Sequence, residues 1–442
     1  MHVRERLGSR LGFLMLAAGS AVGLGNVWRF PYVVGKNGGA AFVAVYLFFL
    51  AVLGFPLLAA ELGIGRGAGK SLAAALAALA PPRLSRAWGR IGTVLALGCF
   101  VLMIYYTDIA GWLVRYAFDY FRCAPPEGTS AAFGALMADD ASETVFMLVA
   151  VSVSAFACLL GVVKGVERAT KWMMLALLAL LVVLAARAVT LPGASEGLSF
   201  YLKPDWTKFM EHPWESVADA MGQAFFTLSL GIGSMTICGS YVGEEHSLVK
   251  ETVFIIAIDT AVAMLAGLII FPACATFGVP YGEGPGLIFV ALPKVFSMLP
   301  HGTIWGFLFF LFLSLAALTT VIAVFECLIA GIMDVLGARR AVAAAVVAAG
   351  VALFSLPCIL VEGALKWEDF AVSQLWLPIG ALLQGFFVVS ARFGWGWERF
   401  RAAVSAGAGL GMPGWMRWHM SVVVPVLVVV VFLSGIVNFF ID

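Results

Sequence analysis

Apolar residues in this chain come in long unbroken runs, not in the alternations or stripes of a water-soluble fold. A helix needs about 20 apolar residues to cross a bilayer core. Eleven runs meet or approach that length: 11–34, 40–66, 88–122, 145–163, 166–189, 214–241, 248–275, 303–337, 341–360, 370–391 and 419–440. Charged residues gather in the gaps between them. The pattern predicts an all-α polytopic membrane protein with about eleven transmembrane helices and no soluble domain.

Charge orients the spans. Lysine and arginine mark cytoplasmic loops. Arg4, Arg6 and Arg10 precede span 1, and Arg66, Lys70, Arg83, Arg86 and Arg90 follow span 2. Lys164, Arg168 and Lys171 follow span 4, Arg339 and Arg340 follow span 8, and Arg392, Arg399 and Arg401 follow span 10. All fall on one side if the N-terminus is cytoplasmic; Asp139, Asp140 and Glu143 fall on the other. An odd number of spans then puts the C-terminus outside. The expected location is the inner or plasma membrane, multi-pass, in contact with the lipid bilayer. The start "MHVRERLGSR" has a basic region like a signal peptide, but no A-x-A site follows, so the segment is expected to be retained.

Composition agrees: 62% of residues are hydrophobic and 12% charged, against about half and a quarter in soluble chains. The net charge of +1 and the lack of a basic tract give no sign of nucleic-acid binding. The seven cysteines (99, 123, 158, 238, 274, 327, 358) include no CxxC pair and read as small buried hydrophobes. The five histidines (2, 212, 246, 301, 419) lie near termini or loops, which argues against a membrane enzyme.

Two spans contain interruptions. Span 1 breaks at "SAVGLGN", with the polar Asn26 and Arg29 inside the same span, and span 6 breaks at "SLGIGSM". Gly19-x-x-x-Gly23 also fits a helix-packing face. Unwound backbone in the hydrocarbon zone leaves amides and carbonyls that need partners. Amides at a half-helix N-terminus suit a carboxylate, and carbonyls at a C-terminus suit a cation. The broken helices open two consecutive groups of five. Five is odd, so the second group enters from the opposite side, and the site between such inverted halves lies at mid-membrane. Asp259 in "FIIAIDTAVAML" is an intramembrane carboxylate, which signals function. Residues 316, 319, 320 and 324 share one helix face of span 8.

"GSAVGLGNVWRFPYVVGKNGGAAF", "GQAFFTLSLGIG" (222–233) and "LTTVIAVFE" (318–326) resemble the first, sixth and eighth segments of the neurotransmitter:sodium symporter family. The resemblance covers almost the whole chain, and the inverted repeat is a known property of that family. It implies one transporter domain, 1–442: a first five-helix repeat over 1–190, an inverted second repeat over 206–391, and a loop and helix 11 over 392–442. Helices 1 and 6 would be unwound at mid-membrane.

The resemblance implies two sodium sites. The first would use Ala21, Asn26, Thr227 and Asp259; the second Gly19, Val22, Ala316, Thr319 and Thr320. A substrate carboxylate would meet the amides of Leu24 and Gly25, the Tyr106 hydroxyl and the first sodium. An amine would meet carbonyls of Ala21, Phe226 and Thr227. Leu102, Tyr106, Phe226, Ser229, Ile232, Thr320 and Val324 would line the side-chain pocket. Gly23 stands where monoamine carriers place an aspartate, which disfavours a monoamine. Tyr46, Gln223 and Thr227 resemble part of the chloride region of animal members, but Asp259 would supply a fixed negative charge, so chloride is expected to be dispensable.

An outer gate would join Arg29 to Asp369 under the aromatic lid of Phe226 and Tyr106. An inner gate would join Arg4 to Asp334, supported by Tyr241. Two positions depart from the family pattern. Leu7 replaces a gate tryptophan, and Leu175 replaces the span 5 proline linked to sodium release. The expected function is sodium-coupled import of a neutral, hydrophobic amino acid. The alternatives are a sodium-coupled carrier of another small carboxylate such as a hydroxy acid, a channel, or a substrate-sensing receptor. The sequence leaves the substrate, the stoichiometry and the oligomeric state open.

Overall fold

The computed structural model describes residues 7–281 and 286–441. They form helices joined by short turns; the only β-type pairing among them is an isolated bridge between His246 and Ala408. Among the described residues nine helices are long and apolar enough to cross a membrane, and the bent pair Arg10–Ala21 and Gly25–Lys36 makes a tenth. The expected span 214–241 falls outside that count because it is in two pieces, Pro213–Phe226 and Ser234–Ser240. The other spans are Ala40–Ala68, Ser85–Phe121, Asp140–Leu159, Val162–Val189, Leu248–Phe277, Gly302–Leu336, Arg340–Leu360, Ala364–Val389 and Met416–Val437. We keep the span numbers of the sequence reading for them.

Many of these helices carry a widened, π-helical turn, and the cause is in the sequence. The turns Gly25–Arg29, Leu50–Gly54, Leu287–Ala291, Ala371–Trp376 and His419–Val423 each end two residues before a proline. The prolines are 31, 56, 293, 378 and 425. Proline has no N–H, and its ring collides with the carbonyl four residues back. Widening the preceding turn moves that carbonyl aside while the helix continues. The turn Val162–Glu167 has no such proline. It follows Gly161 (φ +93°), and a Cβ on its Gly165 would lie 1.9 Å from the Ala157 carbonyl oxygen.

Span 8 is the hub. It packs against spans 1, 3, 4, 5 and 9, and 72% of its apolar window is buried, against 22% for span 11. With little hydrophobic gain in lipid, small residues set how closely such helices approach. The inner half of span 6 lies on span 2 in this way: Cβ atoms on Gly65 and Gly239 would lie 1.9 and 2.2 Å from opposing carbonyl oxygens. Both breaks sit in this crowded centre.

Candidate functional site

The first half of span 1 ends at Ala21, and Val22 takes an extended conformation (ψ 109°). The chain returns to helix through the wide turn Gly25–Arg29, bent by 56°. In span 6 the helix stops at Phe226. Ser229, Gly231 and Gly233 then take positive φ values of 49°, 104° and 90° before helix resumes at Ser234. Gly231 is required twice over, because a Cβ there would also lie 2.1 Å from the Leu377 carbonyl oxygen.

Three of the four residues expected at the first cation position, Asn26, Thr227 and Asp259, are brought together. The Asn26 amide donates through Nδ2 to Thr227 Oγ1 (3.1 Å), to the Asp259 carbonyl (3.1 Å) and to Asp259 Oδ1 (2.8 Å). Thr227 Oγ1 donates to Asp259 Oδ2 at 3.0 Å. Asn26 Oδ1 accepts from the Gly23 amide at 3.0 Å. Asn26, Thr227 and Asp259 are fully buried. A buried charge is tolerated only when paired and hydrogen-bonded, and here three oxygens surround one polarised N–H₂ group. A cation in that place would meet the same oxygens.

The second group also converges. Thr320 Oγ1 lies 3.2 Å from the Gly19 carbonyl, 3.1 Å from that of Val22 and 3.3 Å from that of Ala316. Thr319 Oγ1 donates to the Ala316 carbonyl at 2.9 Å. Hard oxygen donors from two helices thus meet around one point, which suits an alkali or alkaline-earth cation.

Beside Thr320 of the second group lies a cavity of about 20 Å³, roughly the room of one water. Ala21, Gly23, Leu24, Gly25, Leu102, Tyr106, Phe226, Ser229 and Thr320 border it. Val372 and Leu377 of span 10 complete the wall, and no lining residue is charged. Thr227, Ile232 and Val324 are fully buried and do not border it; the Ile232 carbonyl instead accepts from Cys99 Sγ at 3.4 Å. The Leu24 amide donates to the Tyr106 hydroxyl at 3.3 Å.

A larger cavity of about 430 Å³, on the side expected to face outwards, is bordered by Arg29, Tyr105, Asp369 and Gln374. Leu24, Tyr106 and Phe226 line both cavities, so together they form the partition. The Arg29 guanidinium lies 4.5 Å over the Phe226 ring, a cation–π contact. Arg29 and Asp369 border this one cavity without an ion pair between them. Asp369 Oδ1 instead accepts from Tyr105 Oη (3.0 Å) and Ser373 Oγ (2.9 Å).

Of the residues expected at the inner gate, Arg4 lies outside the described residues. Asp334 Oδ2 accepts from the Ser71 amide at 2.7 Å. The Tyr241 hydroxyl donates to Glu326, whose carboxylate is held by both Arg340 terminal nitrogens at 2.8 Å.

Three residues escaped the sequence reading. Glu326 was quoted within "LTTVIAVFE" but given no role. Glu61, in span 2, accepts from the Gly231 amide and from Gln384 Nε2 (3.3 Å), which tethers the break in span 6. Both are intramembrane carboxylates, the signal that singled out Asp259. Met174 packs against Gly19: a Cβ there would lie 3.3 Å from Met174 Cγ. No local motif marks it.

Comparison with known proteins agrees with this geometry. The model of the sodium:neurotransmitter symporter family matches residues 4–131 and 137–441. A Bacillus subtilis protein described as a sodium-dependent transporter is 34% identical, over 98% of each chain. A Methanocaldococcus jannaschii protein with the same description is 32% identical, over 98% of this chain and 90% of its own. The crystal structure of MhsT in complex with L-phenylalanine superposes with a TM-score of 0.86 at 35% identity, covering 98% of this chain and 100% of that one. These relatives are transporters and not enzymes. The chain therefore belongs to the sodium:neurotransmitter symporter family, and it is a sodium-coupled, multi-pass membrane transporter.

Proposed function

We propose that the protein imports a neutral, hydrophobic amino acid together with sodium, by alternating access. The observation that carries this reading is the inner cavity, whose lining includes the Leu24 and Gly25 backbone, the Tyr106 hydroxyl and apolar side chains, with no charged side chain. An acidic or basic substrate side chain would find no partner there. MhsT, a similar protein, was crystallised with L-phenylalanine, which supports an amino acid as cargo.

In this reading two sodium ions bind. Ala21, Asn26, Thr227 and Asp259 hold the first, and Gly19, Val22, Ala316, Thr319 and Thr320 the second. Asp259 provides the negative charge that would otherwise come from chloride, so transport is chloride-independent. Span 6 counts as an eleventh span, the two five-helix groups are inverted, and the basic loops face the cytoplasm.

Uptake into proteoliposomes tests the reading. A panel of amino acids is offered with an inward sodium gradient, then with potassium in place of sodium, then with gluconate in place of chloride. Sodium-dependent, gluconate-insensitive uptake of aliphatic or aromatic amino acids is expected. Uptake confined to hydroxy acids, or lost in gluconate, overturns the corresponding part.

A further inference from the structure

Between spans 2 and 3 the chain inserts a short helix, Leu72–Leu79, with the sequence LAAALAAL. It lies along the start of span 3. A cleft of about 980 Å³ runs beside the two. Its lining includes Ala73, Ala77 and Gly89, buried or half-buried, whose small side chains leave the space open. Its rim carries Lys70, Arg83, Arg86 and Arg90. Arg86 and Arg90 are one turn apart on one helix face, and Arg83 sits in the turn before them.

Among the described residues none of these four cations has a carboxylate partner within ion-pair distance. Arg83 donates to the Arg392 carbonyl at 3.3 Å. One acid, Asp334, also borders the cleft, and the Ser71 amide engages it. The cleft thus sets four cations against one carboxylate, at the ends of membrane helices, above an apolar floor.

We propose that this cleft binds an anionic phospholipid. Its phosphate would lie between Arg83, Arg86 and Arg90, since the planar guanidinium group matches a phosphate with paired hydrogen bonds. Its acyl chains would follow the alanine floor into the bilayer. A basic-side bias alone distributes cations among loops; here four converge on one cleft, the arrangement that recognises anionic headgroups. Free phosphate has no use for the apolar floor, so a lipid is the occupant assigned. The lipid would belong to the cytoplasmic leaflet, an assignment that rests on the orientation proposed above, whereas the binding itself does not. A seated lipid would brace the Leu72–Leu79 helix, whose capping residue Ser71 reaches Asp334 at the inner end of span 8.

The test uses the full-length transporter, delipidated in detergent, titrated with phosphatidylglycerol, phosphatidylcholine or inorganic phosphate. Native mass spectrometry counts bound lipid and thermal unfolding reads stabilisation. Phosphatidylglycerol is expected to bind and raise the melting temperature, and the R83Q/R86Q/R90Q variant to weaken its apparent affinity about tenfold or more. The R83K/R86K/R90K variant should retain part of the affinity. Equal stabilisation by phosphatidylcholine, an equal response of the glutamine variant, or a full response to inorganic phosphate alone would each overturn the proposal. Sodium-dependent stabilisation by an amino acid, measured on the same samples, reports the transport site separately. If that response fails in the unaltered protein while phosphatidylglycerol still binds, the transport reading falls and the lipid site stands.

Discussion

Asn26 and Asp259 meet in mid-membrane, the amide nitrogen of one 2.8 Å from the carboxylate of the other. The amide group has two faces. Its oxygen accepts from the Gly23 amide while its nitrogen faces Asp259. For a cation to take the place of the N–H₂ group, the amide must turn so that its oxygen points inwards. Asp259→Asn keeps the shape and removes the charge. Half-saturation for sodium should rise about tenfold, equivalent to about 1.4 kcal/mol, and uptake should become sensitive to chloride. Uptake in chloride and in gluconate, for both proteins, checks this. An unchanged sodium titration would count against Asp259 as a ligand.

Thr320 supplies one hydroxyl to a point shared by three carbonyls. Thr320→Val deletes it at constant shape. Buried polar groups left without a partner cost about 1–3 kcal/mol, so the variant should melt earlier and bind sodium less tightly. Thr320→Ser keeps the hydroxyl and should keep both properties. Thermal unfolding at graded sodium concentrations distinguishes them.

Gly23 is bare because its neighbours leave no room. A Cβ there would lie 2.5 Å from Tyr106 Oη and 2.9 Å from Thr320 Oγ1. Gly23→Ala should leave a folded protein that no longer binds the amino acid. Binding by scintillation proximity, with elution on a sizing column as the fold control, decides it. Intact binding would show that Tyr106 swings clear.

Glu61 ties the break in span 6 to span 2 and is 2% exposed. Glu61→Ala strands the Gly231 amide, at a cost of about 1–3 kcal/mol, while Gln384 keeps its bond to the Gly231 carbonyl at 2.9 Å. Glu61→Gln retains an acceptor oxygen and should lose less. Melting temperatures in the order native, Gln, Ala are expected; an unaffected alanine variant would refute the tether.

Met174 packs against Gly19, next to Leu175, where the family resemblance implies a proline. Helix Arg168–Val189 continues through this point. Shortening the side chain with Met174→Ala should let water reach the Gly19 carbonyl from the basic side and speed inward opening. Labelling of a cysteine introduced below the site, with and without sodium, measures it.

Much of this was legible in the chain. The span boundaries followed from the lengths of apolar runs, because only helices of that length satisfy their backbone in lipid. Asn26, Thr227, Asp259 and Thr320 were named from motif resemblance and chemistry, and the fold brings them into two clusters. Two things were not legible. The walls given by Val372 and Leu377 come from span 10, where two apolar residues in an apolar run carry no local mark of the cavity they border. The contacts of Arg29 with Phe226 and of Asp369 with Tyr105 and Ser373 are set by tertiary packing, and no local motif marks them.

The partition of Leu24, Tyr106 and Phe226 has a consequence for selectivity. The outer cavity, at about 430 Å³, admits many solutes, whereas the inner one, at about 20 Å³, accepts a solute only by displacing its own wall. Under the proposed function, choice would then be exercised at closure and not at entry: a solute would be carried when the door can shut behind it, and one that props the door open would act as an inhibitor.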